Sequence, residues 1–342
     1  MKPRKAIEDL KPYEVKDETY LLKLDANESE DYLALEKLEL RGLELYPDYD
    51  CKALRTALSM DLNVDASFIT MGNGSSELLD LLFKAYVRKD DVILSFDPSF
   101  SMYEIYANIY EANFVKVPSN PDFRLDIDLM IDRLYLNPKI ILICSPNNPT
   151  GYLIPTEDIK RLLIQTNALV IVDEAYMEFS SKDSTLIDEI ETYKNLVVLR
   201  TFSKAYGLAG ARLGYMLSSR EATDVIKKIR SPYHVNTLSQ KLGLLALSKK
   251  ELIRQSIEKI KQTRTNFEND LEKLGFIVYP SEGNFVWVKP PQLKLSQRLK
   301  EKGVLVRKIQ FNDEAYIRIT IKTDEDMTLC LSIIKEIIHE NK

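Results

Sequence analysis

Four short apolar runs punctuate the first two-thirds of the chain: VILSF at 92–96, IILIC at 140–144, LVIV at 169–172 and LVVL at 196–199. Each is strand-sized and apolar on both faces, the pattern of a strand buried between two layers. Between the second and third lies TEDIKRLLIQTN at 156–167. There Ile159, Leu162 and Leu163 share one helical face, and Thr156, following Pro155, is placed to cap the helix. Strand, helix, strand at this spacing predicts an α/β fold with a mainly parallel sheet covered by helices. After about residue 245 the pattern changes. A long charged amphipathic stretch, 252–274, precedes FIVYP (276–280), NFVWV (284–288), VLVRK (304–308) and AYIRITI (315–321), and a last helix covers 325–339. That order predicts a smaller α+β unit with antiparallel strands. The expected organisation is an N-terminal arm, 1–40, packing onto the small unit, then a large domain, 41–245, and a small C-terminal domain, 246–342.

The residues just past each buried strand are chemically unusual. VILSF runs into DPSFSMY, IILIC into SPNNPTG, LVIV into DEAYMEF and LVVL into RTFSKAYG. In open α/β sheets, ligands bind at the carboxyl ends of the strands. These loops would therefore gather Asn148, Asp173, Tyr176, Ser203 and Lys204 at one edge.

Lys204 sits in TFSKAYGLAGARLGY, a loop of small residues where a lysine can approach a ligand closely and form an imine with an aldehyde. Thr201, Ser203 and Arg212 surround it with two hydroxyls and a guanidinium, a phosphate-monoester site beside an imine site. MGNGSSELLDLLFKAY at 71–86 is a Gly-rich turn opening a helix, so the Ser75 and Ser76 N–H groups would point at an anion. Such a turn serves equally as a plain helix start. It is not a P-loop, and a dinucleotide fingerprint fails at Glu77, where the third glycine belongs. Asp173 would stand at the pocket base, able to pair with a protonated ring nitrogen. Tyr176 and Asn148 offer hydrogen bonds nearby, and Tyr103 offers a ring to stack on a planar heterocycle. Glu174 reads as a capping acid. Arg318, in the apolar run YIRIT, needs an anionic partner, either a substrate group or a structural acid.

The remaining numbers exclude alternatives. The chain has 342 residues, 45% hydrophobic, and a formal net charge of -5. That balance gives no footprint for nucleic acid or an anionic membrane. No apolar run approaches the roughly 20 residues of a membrane span, and MKPRKAIEDLKPYE holds no signal-peptide core. Three scattered cysteines and two histidines make neither a disulfide framework nor a metal site, and point to a reducing cytoplasm.

In order along the chain, LKPY (10–13), LDANES (24–29), YPD (46–48), GNGSSELL (72–79), SPNNPTG, DEAYMEF, RTFSKAYGLAGARLGY and YIRIT (316–320) resemble the fold-type-I pyridoxal-phosphate aminotransferases, the aspartate-aminotransferase-like class, and within them the histidinol-phosphate aminotransferase family. The resemblance covers almost the whole chain. It implies that Lys204 binds the cofactor covalently and shuttles the substrate proton, and that Asp173 pairs with the pyridine nitrogen. Tyr176 and Asn148 would bond the cofactor's 3′ oxygen and Tyr103 would stack on its ring. The backbone of Ser75 and Ser76, with Thr201, Ser203 and Arg212, would hold its phosphate. Tyr46 would reach that phosphate from the other subunit, which implies a homodimer. Tyr13, Arg307 and Arg318 would bind a substrate phosphate or the carboxylate of glutamate, with Asn27 on the substrate side. The expected substrates are an amino phosphate and glutamate or 2-oxoglutarate; the alternative is a related enzyme acting on another amino phosphate or an aromatic amino acid, including a threonine-phosphate-type decarboxylase. A non-catalytic cofactor-binding regulator, which would carry a basic DNA-binding module, is the least expected reading. The chain departs from the family in lacking the Pro and Gly of NENPxG after Asn27 and Glu28, in Ser145 opening SPNNPTG, and in His234 where asparagine is frequent.

Overall fold

The computed structural model describes residues 3–8, 10, 19–33, 41–180, 184–292 and 294–340. Among the described residues, twelve strands form two sheets. In chain order they are β1 (Leu22–Leu24), β2 (Ile69–Gly72), β3 (Val92–Asp97), β4 (Asn113–Pro118), β5 (Ile140–Cys144), β6 (Leu169–Asp173), β7 (Leu196–Thr201), β8 (Gly214–Ser218), β9 (Ile277–Tyr279), β10 (Phe285–Lys289), β11 (Val304–Phe311) and β12 (Glu314–Thr320).

The larger sheet has the order β2-β8-β7-β6-β5-β3-β4. Its neighbours pair in parallel except at β8, which runs against both β2 and β7. The four expected strands are its centre. Their continuous apolar runs feed two cores. Ile141, Ile143, Val170, Val172 and Val198 face one layer of helices, and Ile140, Leu142, Ile171, Val197 and Leu199 face the other. The helix Thr156–Gln165 buries Ile159, Leu162 and Leu163 as their spacing requires. Each such side chain contributes about 2 kcal/mol of apolar burial. Thr156 is its first helical residue rather than its cap; Pro155 occupies the cap position, with no side-chain bond to the helix.

The chain leaves β3 to β4 on one side and returns through β5, β6 and β7 on the other. The order therefore reverses between β3 and β5, the kind of switch point at whose carboxyl edge open α/β sheets bind ligands.

The smaller sheet has the order β1-β11-β12-β10-β9. The C-terminal strands pair antiparallel, and β1 joins by a parallel pairing of Leu22 with Val304. Val286, Val288, Ile317 and Ile319 pack in one core with Phe267 and Leu271 of helix Lys250–Lys273 and Ile334 and Ile337 of helix Asp324–His339. Phe285, Trp287, Tyr316 and Arg318 take the alternate positions. Phe123, from the loop after β4, inserts among Tyr279, Trp287 and Tyr316, tying the two sheets together.

Candidate active site

Asp173 ends β6 directly beside Cys144 of β5 and is 6% exposed. One carboxylate oxygen accepts the Tyr103 hydroxyl at 3.0 Å, the other the Ala175 N–H at 3.2 Å. Burial pushes this carboxyl up to about 6, against the pull of those two bonds. Among the described residues no cation lies within 4 Å of it. A cationic ring nitrogen opposite would meet this need.

Lys204, in the loop after β7, donates to the Ala26 carbonyl at 2.8 Å, and its amine stands 5.7 Å from the centre of the Tyr176 ring. Burial, reinforced by the Arg318 charge, pushes the amine down to about 7, which favours the free lone pair that attack on an aldehyde requires. Tyr176 packs edge-on to Phe285 of β10, and its hydroxyl accepts from the Asn27 side chain at 3.1 Å. Burial pushes this phenol up to about 12. It stays protonated and keeps its own proton to donate to an anionic oxygen.

Asn148 is carried by a loop that Asn147 clamps from beneath, through Pro98, Ser99 and Thr150. Its side-chain oxygen accepts from Arg318, whose guanidinium also donates to the Asp25 carbonyl at 2.7 Å. The segment 25–27 thus lies between the two sheets. It gives Ala26 to Lys204, Asp25 to Arg318 and Asn27 to Tyr176, Thr320 and Asn284. Asn27 is fully buried, with a left-handed backbone, φ 53°, which asparagine tolerates.

The anion cradle stands at the start of helix Gly74–Tyr86. Gly74 has φ +73°, and a Cβ there would lie 2.7 Å from Arg212 Nη2. A Cβ on Gly214 would lie 2.5 Å from the Ser75 nitrogen. Two glycines therefore let Arg212 and β8 close onto the first N–H groups of the helix. Thr201 and Ser203 flank them, with the Ser203 N–H on the Thr201 hydroxyl at 3.1 Å. Arg212 is exposed, donates to the Ala209 carbonyl at 3.2 Å, and among the described residues has no carboxylate within 4 Å. A cation next to a helix N-terminus, with no acid to balance it, suits a phosphate dianion. Covalent amine, ring-nitrogen acid and phosphate cradle together fit pyridoxal phosphate. Arg212→Ala is expected to raise the dissociation constant for pyridoxal phosphate about 10-fold to 100-fold, as for loss of one charge-assisted bond. Fluorescence titration of cofactor-stripped protein checks this.

Some expectations are corrected. Tyr103 does not present a stacking face: its ring is 1% exposed and its hydroxyl is turned to Asp173. Helix Met102–Ile109 buries Tyr103 with Ala107, one turn on, against the sheet. Phe100, just before that helix, stands edge-on to Tyr103 at 5.5 Å and is only partly buried. Arg307 is exposed and stands directly opposite Arg318 across β11 and β12, so the two share one face. Tyr46 is 82% exposed, its ring stacked on Tyr233 at 4.6 Å. Tyr13 lies outside the described residues.

Glu174 is more than a cap. Fully buried, it accepts from Arg200 Nε and from Thr185, each at 2.8 Å, while Arg200 also reaches Glu178 at 2.9 Å. This cluster locks the loops after β6 and β7, which carry Asp173 and Lys204. Arg200, ending an apolar run without a neighbouring acid, is the sequence sign of it. Glu174→Ala would leave Arg200 paired with Glu178 but take the acceptor from Arg200 Nε and the buried Leu186 N–H, and should cost about 1–3 kcal/mol, read from the urea midpoint.

Residues 21–334 match the family model of aminotransferase class I and II, so the chain belongs to that family. Its fold is the aspartate-aminotransferase-like fold type I. It is 37% identical to a histidinol-phosphate aminotransferase of Caldanaerobacter subterraneus subsp. tengcongensis, over 98% of both chains. A histidinol-phosphate aminotransferase from Sinorhizobium meliloti, solved in complex with pyridoxal-5′-phosphate, superposes with a TM-score of 0.91 at 24% identity, over 99% of this chain and 98% of that one. An L-threonine-O-3-phosphate decarboxylase from Porphyromonas gingivalis superposes with a TM-score of 0.80 at 25% identity, over 93% and 100% respectively. No helix among the described residues is long and apolar enough to cross a membrane.

Proposed function

We propose that the chain is a pyridoxal-phosphate-dependent histidinol-phosphate aminotransferase, moving an amino group between histidinol phosphate and 2-oxoglutarate to give imidazole acetol phosphate and glutamate. The observation that carries this is the part-buried Lys204 amine, placed close enough to Asp173, Arg212 and Arg318 to feel the charge of all three. When bound, the cofactor supplies a protonated pyridine ring that takes up the electron pair released at the substrate Cα. Asp173 holds the ring-nitrogen proton. Tyr176 and Asn148 orient the 3′ oxygen, and Phe100, in place of Tyr103, offers the stacking ring. Lys204 would hold the cofactor covalently and, once freed by the incoming substrate amine, would accept the Cα proton and return it at C4′. Ser75, Ser76, Thr201, Ser203 and Arg212 keep the phosphate fixed. Arg318 and Arg307 bind the substrate phosphate or the glutamate carboxylate, and the resemblance adds Tyr13 and Asn27 to the substrate's ligands. Like charges placed directly opposite on two strands repel until an anion sits between them.

The exposed Tyr46 reaches the phosphate of a second subunit, and the protein works as a cytoplasmic homodimer. The experiment is a visible spectrum of purified protein before and after adding histidinol phosphate and, separately, glutamate. Bleaching of the yellow band by both is expected, with release of imidazole acetol phosphate from histidinol phosphate and of 2-oxoglutarate from glutamate. Loss of carbon dioxide from threonine phosphate, with no response to histidinol phosphate, would move the assignment to the decarboxylase.

A further inference from the structure

We propose that Tyr103 is the positioning residue of Asp173: by donating its hydroxyl to one carboxylate oxygen, it fixes the plane of the acid and keeps it ionised for the ring nitrogen. The inference rests on the reading that Asp173 meets a pyridine nitrogen.

The geometry is specific. The Tyr103 hydroxyl lies 3.0 Å from Oδ2 and the Ala175 N–H lies 3.2 Å from Oδ1, so each oxygen is held by a donor from a different element. A carboxylate gripped at both oxygens cannot turn about its Cβ–Cγ bond, and each oxygen keeps a lone pair for a further donor. Tyr103 itself is enclosed by the helix face it shares with Ala107 and by Phe100, leaving its ring no freedom to withdraw. A buried phenol seeks a polar partner. This one has been given the acid at the centre of the site, and β5 places the Cys144 thiol on the same hydroxyl.

The electrostatics run the same way. The titratable groups that face Asp173 are Tyr103 from the helix, Cys144 from β5, Glu174 and Tyr176 from its own loop and Lys204 from the loop after β7. Burial and Glu174 favour the neutral acid; Tyr103, Ala175 and Lys204 favour the anion. Among the side chains, Tyr103 is the one that bonds the carboxylate directly. Without its hydroxyl, the acid would take a proton at a higher pH and lose its attraction for the ring cation.

The test compares Tyr103→Phe, Asp173→Asn and the double variant as holoenzymes. Tyr103→Phe removes one oxygen and keeps the packing, so its thermal midpoint without cofactor should stay close to that of the parent. Its dissociation constant for pyridoxal phosphate should rise about 10-fold, and the pH below which cofactor affinity is lost should move up by about one unit. Asp173→Asn should weaken binding more, and adding Tyr103→Phe to it should change nothing further. Additive losses in the double variant would make Tyr103 a packing residue and overturn the proposal. So would an unchanged affinity and pH midpoint in Tyr103→Phe beside an impaired Asp173→Asn. If Asp173→Asn itself behaves as the parent, the reading of Asp173 falls first, and the inference with it.

Discussion

Replacing Lys204 by methionine should abolish turnover and, in the cofactor-free protein, raise stability. The first effect follows from two roles carried by one amine. Lys204 is the covalent anchor and the group placed to move the Cα proton, and loss of a positioned proton-transfer group alone costs up to about 10⁴-fold. Transamination of histidinol phosphate should fall by at least about 10³-fold, and the visible band of the covalently bound cofactor should vanish. The second effect follows from linkage. Burial lowers the folded-state pKa of Lys204 from 10.5 to about 7. Between those values the unfolded chain binds more protons than the folded one, so stability climbs as pH rises from about 7 to 10.5. Below 7 the folded protein bears the full penalty of an enclosed cation. Methionine keeps the stem and removes the charge. The cofactor-free variant should therefore melt higher than the parent at pH 6, with the gap closing towards pH 10. Calorimetry at the two pH values decides it, and an equal gap at both would remove the lowered amine pKa from the account. Asp173 carries the mirror-image strain, since its raised pKa destabilises the cofactor-free protein as pH rises through 4 to 6. The site is held under strain that the cofactor relieves.

The parts of this site that can be read from the sequence are those whose signal is local. A buried parallel strand is apolar on both faces, so the point where IILIC, LVIV and LVVL turn polar marks the edge of the sheet, and Asn148, Asp173 and Lys204 all stand there. β2, β4 and β8 are less visible for physical reasons. β2 is four residues long, β4 is a half-exposed edge strand, and β8 follows the Lys204 loop too closely to read apart from it. Side-chain direction is the other gap. Tyr103 reads as a stacking ring because it follows a strand end, yet its one-turn spacing from Ala107 places it on the buried face of its helix. Glu174 cannot be told from a cap because its partner, Arg200, lies 26 residues on and meets it only through the β6–β7 pairing. Arg307 sits in an apolar-looking run, but it falls where β11 turns outward to solvent. The resemblance supplies roles for these positions; only the packed structure shows which atoms each side chain faces.

Arg318→Ala should lower kcat/KM for histidinol phosphate by about 30-fold to 10³-fold, and for glutamate as well, whereas Arg307→Ala should cost about 10-fold or less, and only with the phosphorylated substrate. Both residues lie on one face of the small sheet, directly opposite each other. Their surroundings differ. Arg318 is 7% exposed, bonded to Asn148 and the Asp25 carbonyl, with its guanidinium 5.5 Å from the Phe285 ring. Truncating a desolvated, hydrogen-bonded charge at a binding site costs about 2–5 kcal/mol, while an exposed one is worth about 1 kcal/mol or less. Arg318 also joins the sheets: its two bonds run to the loop after β5 and to the segment that receives Lys204. Its loss should therefore disturb the placement of Asn148 and Ala26 whichever amino donor is used, and this is why both half-reactions should suffer. Arg318→Lys should rescue little, because one ammonium cannot reach Asn148, Asp25 and a substrate anion from a single point. Single-turnover kinetics with each donor separate these outcomes. A selective defect with histidinol phosphate in Arg318→Ala would confine that residue to phosphate recognition. A larger loss in Arg307→Ala than in Arg318→Ala would show that the exposed arginine is the principal anion ligand, and burial would then be the wrong guide to this site.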